Sequence, residues 1–200
     1  MTNYKKIIGI GWNYSNHAKE MMIKVPKEPI FFLKPSSSLT KYGPIEIPDG
    51  AIVHHEIELA VIIGKTGRFI TQENAFDHIK HYALALDMTA RNIQLEAKAA
   101  GMPWTVSKGY DTFAPIGDPI YNISNPHQLQ LTLKVDGEIK QNGFTKDMVF
   151  KIPRLIEYVS SIMTLEAGDI ILTGTPDGVG PVVPGQTLKE GSSFGMTIVG

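Results

Sequence analysis

The chain has 200 residues, 42% of them hydrophobic and 20% charged, which suffices for one buried core and is too apolar for a disordered polymer. Nineteen Lys and Arg against 20 Asp and Glu leave a formal net charge of -1, so nothing in the balance draws it to nucleic acid or an anionic membrane. The absence of cysteine removes disulfides, thiolate metal sites and thiol nucleophiles together, and no apolar run approaches the ~18 residues of a membrane span. A single soluble domain over residues 1–200 is expected, cytoplasmic, with neither nucleic acid nor membrane as partner.

In chain order, residues 7–10 read as a first strand. Residues 14–22 follow as a short helix that Ser15 or Asn16 would cap. Another apolar strand covers 30–33, then a long loop runs over 35–50. Residues 53–63 read as one long strand ended by Gly64, 71–79 as a helix, and 82–87 as a buried strand. A helix over 90–100 closes at Gly101 and Pro103, and Lys108 sits in a loop-like stretch. Residues 129–135 alternate apolar and polar side chains before Asp136-Gly137, a strong hairpin signal. Ile152, Leu155, Ile156, Val159 and Met163 recur at helical spacing, and a strand over 169–172 runs into a stiff glycine-proline loop at 173–181. Hairpins mixed with a few helices predict α+β.

The chemistry concentrates in His54-His55-Glu56-Ile57-Glu58-Leu59, too apolar for a surface strand yet holding two carboxylates. On one strand Glu56 and Glu58 project to the same side, roughly 6.6 Å apart along the chain. Alone, such a pair is a solvated strand face. Asp87, at the end of an apolar strand, changes the balance, although by itself it reads as a helix cap. Together Glu56, Glu58 and Asp87 suit a hard divalent cation, Mg2+ or Mn2+, because all three donate oxygen. His17 and Glu20 lie three apart on a helix, as a general base and its partner would, though an exposed pair has the same spacing. Arg91, Gln94, Lys108 and Lys34 could complement an anion, each being more often an ordinary surface residue. The Gly9-Ile10-Gly11 segment lacks the third glycine of a dinucleotide loop, since Tyr14 stands there. His54 reads as support or plain solvation, and His78 and His81 as flanking a helix end rather than binding zinc.

The chain resembles the fumarylacetoacetate hydrolase family, in its short branch of acylpyruvate hydrolases and oxaloacetate decarboxylases. The resemblance runs over about residues 7–185 in ordered blocks: Gly11-Trp12-Asn13-Tyr14 with His17 and Glu20, Phe32-Leu33-Lys34-Pro35, His55-Glu56-Ile57-Glu58, Asp87-Met88-Thr89-Ala90-Arg91, Lys108-Gly109-Tyr110-Asp111, and Gly174-Thr175-Pro176. It implies a mixed β-roll with flanking helices, a homodimer, and Mg2+ on Glu56, Glu58 and Asp87. It also implies a His17–Glu20 dyad on a mobile lid over 14–24, with Lys108 catalytic and Lys34, Arg91, Gln94 and Thr175 lining the substrate pocket. Trp12 stands where the family often has Arg. The chain stops before a closing strand many relatives complete, so its last strand is expected to be weakly held.

The implied reaction is cation-assisted cleavage of a C–C bond next to a 2-oxo acid, acylpyruvates being hydrolysed and oxaloacetate decarboxylated through the same pyruvate-type enolate. Isomerisation or decarboxylation of an unsaturated diacid, as in aromatic catabolism, is a second reading. A non-catalytic module binding 2-oxo acids is a third.

Overall fold

The computed structural model describes residues 4–41, 43–190 and 194–199. Among the described residues four helices, α1 (Ser15–Glu20), α2 (Arg91–Ala99), α3 (Thr105–Lys108) and α4 (Ile152–Ile162), accompany four sheets, so the α+β expectation stands. The central sheet has the strand order Ile30–Lys34, Ile7–Gly11, Ile170–Leu172, Ile57–Ile63, Ile79–Leu86. The Ile7–Gly11 and Ile170–Leu172 pair is parallel and the other neighbours are antiparallel. Its two faces are both covered. One cluster joins Ile8, Ile10, Leu59 and Val61 to Leu155, Ile156 and Val159 of α4, and a second holds Ile7, Ala60, Ile62, Ala83, Ala85 and Leu172. Double burial is why Ile57–Ile63 shows no polar alternation.

A second sheet, ordered Glu138–Phe144, Gln130–Val135, Thr187–Glu190, Phe194–Val199, Ile45–Glu46, carries the expected hairpin. Asp136 and Gly137 both take positive φ, 50° and 88°, as a two-residue hairpin turn demands. The Phe194–Val199 strand pairs on both sides, and residues 191–193 and 200 of the expected weak end lie outside the described residues.

Several expected elements are corrected. The strand predicted over 53–63 is two, Val53–His55 and Ile57–Ile63, belonging to different sheets. Glu56 lies between them without interrupting the register toward residues 86–90: its carbonyl accepts from the opposing Asp87 N–H (2.9 Å), while on the other edge the Ile57 N–H donates to the Gln141 side chain (2.9 Å). The helix expected over 71–79 is a 3-10 turn, Gln72–His78, and the next strand starts at Ile79, where pairing with Ile63 captures the chain early. Within the 35–50 loop lie a 3-10 turn, Ser36–Ser38, and the short strands Leu39–Thr40 and Ile45–Glu46. α1 is shorter than predicted and Tyr14, not Ser15 or Asn16, occupies its cap position without a side-chain bond. Lys108 closes α3 rather than sitting in a loop.

Candidate active site

The segment at Glu56 assembles the acidic centre. Glu56 lies between the strands Val53–His55 and Ile57–Ile63, Glu58 is the second residue of the latter, and Asp87 follows the end of Ile79–Leu86, tied by its N–H to Glu56. One carboxylate oxygen from each lies within 4.8 Å of the others, and all three residues are buried. The three converge as expected, Glu56 and Glu58 from one register and Asp87 from the end of the strand paired with it.

Three buried cations surround them. Lys34 Nζ donates to Asp87 Oδ1 (2.5 Å) and the Met88 carbonyl (3.0 Å), while Lys108 Nζ donates to Asp87 Oδ2 (2.5 Å) and Glu56 Oε2 (3.0 Å). Arg91 pairs with Glu56 Oε1, which also accepts from Thr89 Oγ1 (2.9 Å). Three carboxylates and three cations cancel formally, so a divalent ion here leaves +2, not the -1 obtained when the carboxylates alone are counted.

Glu58 is the exception. Among the described residues no Lys or Arg pairs with it, and its Oε2 accepts only from the Gly174 N–H (2.6 Å). Burial, then the charges of Asp87 and Glu56, push its carboxyl well above the usual range. Burial would raise Glu56 too, but Lys108 and Arg91 overcome that and hold it well below. Burial pulls Lys34 down to about 8 against the attraction of Asp87, whereas Asp87 and Glu56 outweigh burial and lift Lys108. A cation replacing the Glu58 proton therefore relieves the least compensated group. Carboxylate oxygens each carry a second lone pair, so the ammonium bonds leave room for ligation, and the all-oxygen donor set fits a hard divalent cation.

His17 of α1 turns Nδ1 to Glu20 Oε2 (3.1 Å), and Glu20 Oε1 accepts from the Gly178 N–H (3.1 Å), fastening α1 to the 173–181 loop. His17, Arg91, Gln94, Lys108 and Thr175 line one cavity with the carboxylates, and Trp12, Phe32 and Trp104 line its apolar side. The free volume is about 20 Å³, room for an ion or a water and too little for a four-carbon acid. Arg91 keeps Nε buried without a partner, while its Nη1 holds Gln94 Oε1 (2.5 Å). Lys34, expected in the pocket lining, does not line it, because Asp87 and Met88 absorb its ammonium. His54 bonds none of the carboxylates. Burial and then Arg91 lower it to about 4. His78 ends the 3-10 turn with Nδ1 on the Lys65 carbonyl, and His81 lies in the following strand beside a separate cavity of about 480 Å³.

Two supporting residues carried no signal in the sequence. Gln141 accepts from the Ile57 N–H and the His55 ring (2.9 Å each) and donates to Thr175 Oγ1 (2.8 Å) and the Pro176 carbonyl (3.0 Å), joining the residues on either side of Glu56 to the 173–181 loop. Asn13 donates to the Thr173 carbonyl (2.8 Å) beside Gly174, whose φ of +95° and close approach to Asn13 leave no space for a Cβ. Contacts remote along the chain give both side chains their roles: those of Asn13 lie 137 and 160 residues away, those of Gln141 between 34 and 86.

Residues 6–200 match the model described as fumarylacetoacetate (FAA) hydrolase C-terminal. The chain belongs to this family. Among family relatives, the mitochondrial oxaloacetate decarboxylase of Dictyostelium discoideum is 55% identical over 192 residues, covering 94% of this chain and 88% of the relative. The mitochondrial oxaloacetate tautomerase FAHD1 of Arabidopsis thaliana is 56% identical over 190 residues, covering 93% and 85%. The crystal structure of fumarylpyruvate hydrolase from Pseudomonas aeruginosa in complex with Mn2+ and pyruvate superimposes with a TM-score of 0.93 at 32% identity, covering 98% of this chain and 90% of that one. The mixed sheets with few helices are those of the fumarylacetoacetate hydrolase fold.

Proposed function

We propose that this protein is a Mg2+-dependent enzyme of small 2-oxo acids, hydrolysing acylpyruvates at a C–C bond and decarboxylating oxaloacetate. The observation that carries the reading is the charge pattern: with a divalent cation the buried centre is formally +2, which draws the carboxylate of a small 2-oxo acid, the monoanion of acetylpyruvate as well as the dianion of oxaloacetate. Relatives that act on oxaloacetate at 55–56% identity support the substrate class, and Mn2+ with pyruvate in a structural neighbour supports the cofactor class.

Glu56, Glu58 and Asp87 would hold the cation, which supplies Lewis-acid stabilisation of negative charge developing on the 2-oxo oxygen. Arg91 and Gln94 receive the substrate carboxylate, for which the unpartnered Arg91 Nε is a ready donor. With Nδ1 engaged by Glu20, His17 takes a proton from water at Nε2, so that the water attacks the distal carbonyl of an acylpyruvate. Lys108 and Thr175 orient the substrate and donate to the developing oxyanion. Oxaloacetate loses CO2 to the same enolate with no attacking water. Because the closed cavity admits no substrate, residues 14–24 act as a lid that releases Glu20 from Gly178. A homodimer in solution belongs to the same proposal.

The test is turnover of oxaloacetate, acetylpyruvate and fumarylpyruvate with Mg2+, with Mn2+ and with chelator. Cation-dependent turnover of the first two supports the reading. Turnover that survives chelation, or none on any of the three with either cation, refutes it. Light scattering tests the dimer.

A further inference from the structure

The carboxylate cavity shares two side chains, Phe32 and Trp104, with a second cavity of about 430 Å³. That groove is bounded by Ile30, Phe31, Leu33, Met102 and Pro103, none of which carries a charge. A closed, charged chamber and an open, apolar one therefore lie on either side of the same two rings. Phe32 is pinned, since its ring fills the space a Cβ on Gly9 would need and Lys108 Nζ sits 4.8 Å from its centre. Trp104 is held by packing alone on its chamber side: its ring meets Trp12 edge-on at 4.9 Å and lies against Gly11, where a Cβ would come within 3.2 Å. It is only half-buried, and it follows the exposed connection Gly101-Met102-Pro103, with Gly101 at φ +66°.

We propose that Trp104 is the specificity-determining wall of this site. Packed against Trp12 and Gly11, it closes the chamber against the groove and confines the enzyme to 2-oxo acids with short tails. The alkyl chain of a longer acylpyruvate lies in the groove once the indole is removed. The inference rests on the reading of the site as one for 2-oxo acids. Each methylene buried in such a groove is worth about fourfold in affinity, so the four that separate hexanoylpyruvate from acetylpyruvate set a ceiling of about 250-fold.

The experiment compares kcat/KM for hexanoylpyruvate and acetylpyruvate in Mg2+ for the wild type, Trp104→Ala and Trp104→Phe, together with calorimetric binding of oxamate and N-hexyloxamate. Trp104→Ala is expected to raise the hexanoyl-to-acetyl ratio at least ~10-fold and the hexyl-to-plain oxamate affinity ratio with it, Trp104→Phe raising both less. Adding Met102→Lys, a charge in the groove, should reverse the gain. If Trp104→Ala does not fold, Trp104→Phe carries the test alone. Ratios unchanged within about twofold in a folded variant, or a gain that Met102→Lys leaves intact, overturn the wall while the wild type still handles acetylpyruvate. A wild type that neither turns over any 2-oxo acid nor binds oxamate overturns the underlying reading as well.

Discussion

Glu58 is buried among carboxylates and, among the described residues, accepts only from a backbone N–H, so its proton and a divalent cation compete for one place. Glu58→Gln keeps the shape and removes the charge, and its consequences differ with and without cation. The folded-state pKa lies above the unfolded one, so the stability Glu58 contributes is complete below the ordinary carboxylate range and is lost as pH rises through the raised folded value. Cation-free wild type should therefore lose stability as pH climbs from that range, and Glu58→Gln should flatten the slope. Glu56, held low by Lys108 and Arg91, works in the opposite sense, losing its contribution only as pH falls through its depressed folded value, so it does not blur the alkaline limb. A cation at 100 times its Kd adds about 2.7 kcal/mol, which for a chain of this size is roughly 5–11 °C in Tm. Losing one of three ligands should cut that shift to about 2 °C or less at the same concentration. Calorimetric Tm values from about pH 5 to 9, with Mg2+ or chelator, measure both effects. An equal cation-induced shift in Glu58→Gln, or none in the wild type at any pH, would show that Glu58 is not a ligand.

Asp87→Asn should cost about 3–5 kcal/mol in urea unfolding without cation, because it leaves the ammoniums of Lys34 and Lys108 short of their shared counter-charge; a cost under about 1 kcal/mol contradicts the buried pairing. His17→Ala should slow acetylpyruvate hydrolysis ~10²–10⁴-fold while oxalate still binds with Mg2+, and it should spare oxaloacetate decarboxylation by comparison. Equal losses in all three would make His17 a binding residue. Gln141→Leu should destabilise by about 1–3 kcal/mol for the donors and acceptors it strands, and weaken cation affinity because the residues on either side of Glu56 lose their clamp; unchanged affinity in a calorimetric titration would separate that clamp from ligand placement.

Local information determined much of this protein. The Asp136-Gly137 hairpin and the α4 stripe of Ile152, Leu155, Ile156 and Val159 were readable because turn chemistry and helical period act over a few residues. The acidic trio was readable by residue type, since carboxylates set in apolar runs at 56, 58 and 87 conflict with burial unless something compensates them. What compensates them was not readable. The placement of Glu56 depends on Asp87 and Gln141, the caging of Asp87 on Lys34 and Lys108, and the partition at Trp104 on Gly11 and Trp12. Each is a contact between segments distant along the chain, where long-range pairing overrides local pattern. The division of 53–63 into strands of two sheets was hidden in the same way. Apolar periodicity reports that a segment is buried, whereas the partners its backbone finds along each edge are remote donors and acceptors.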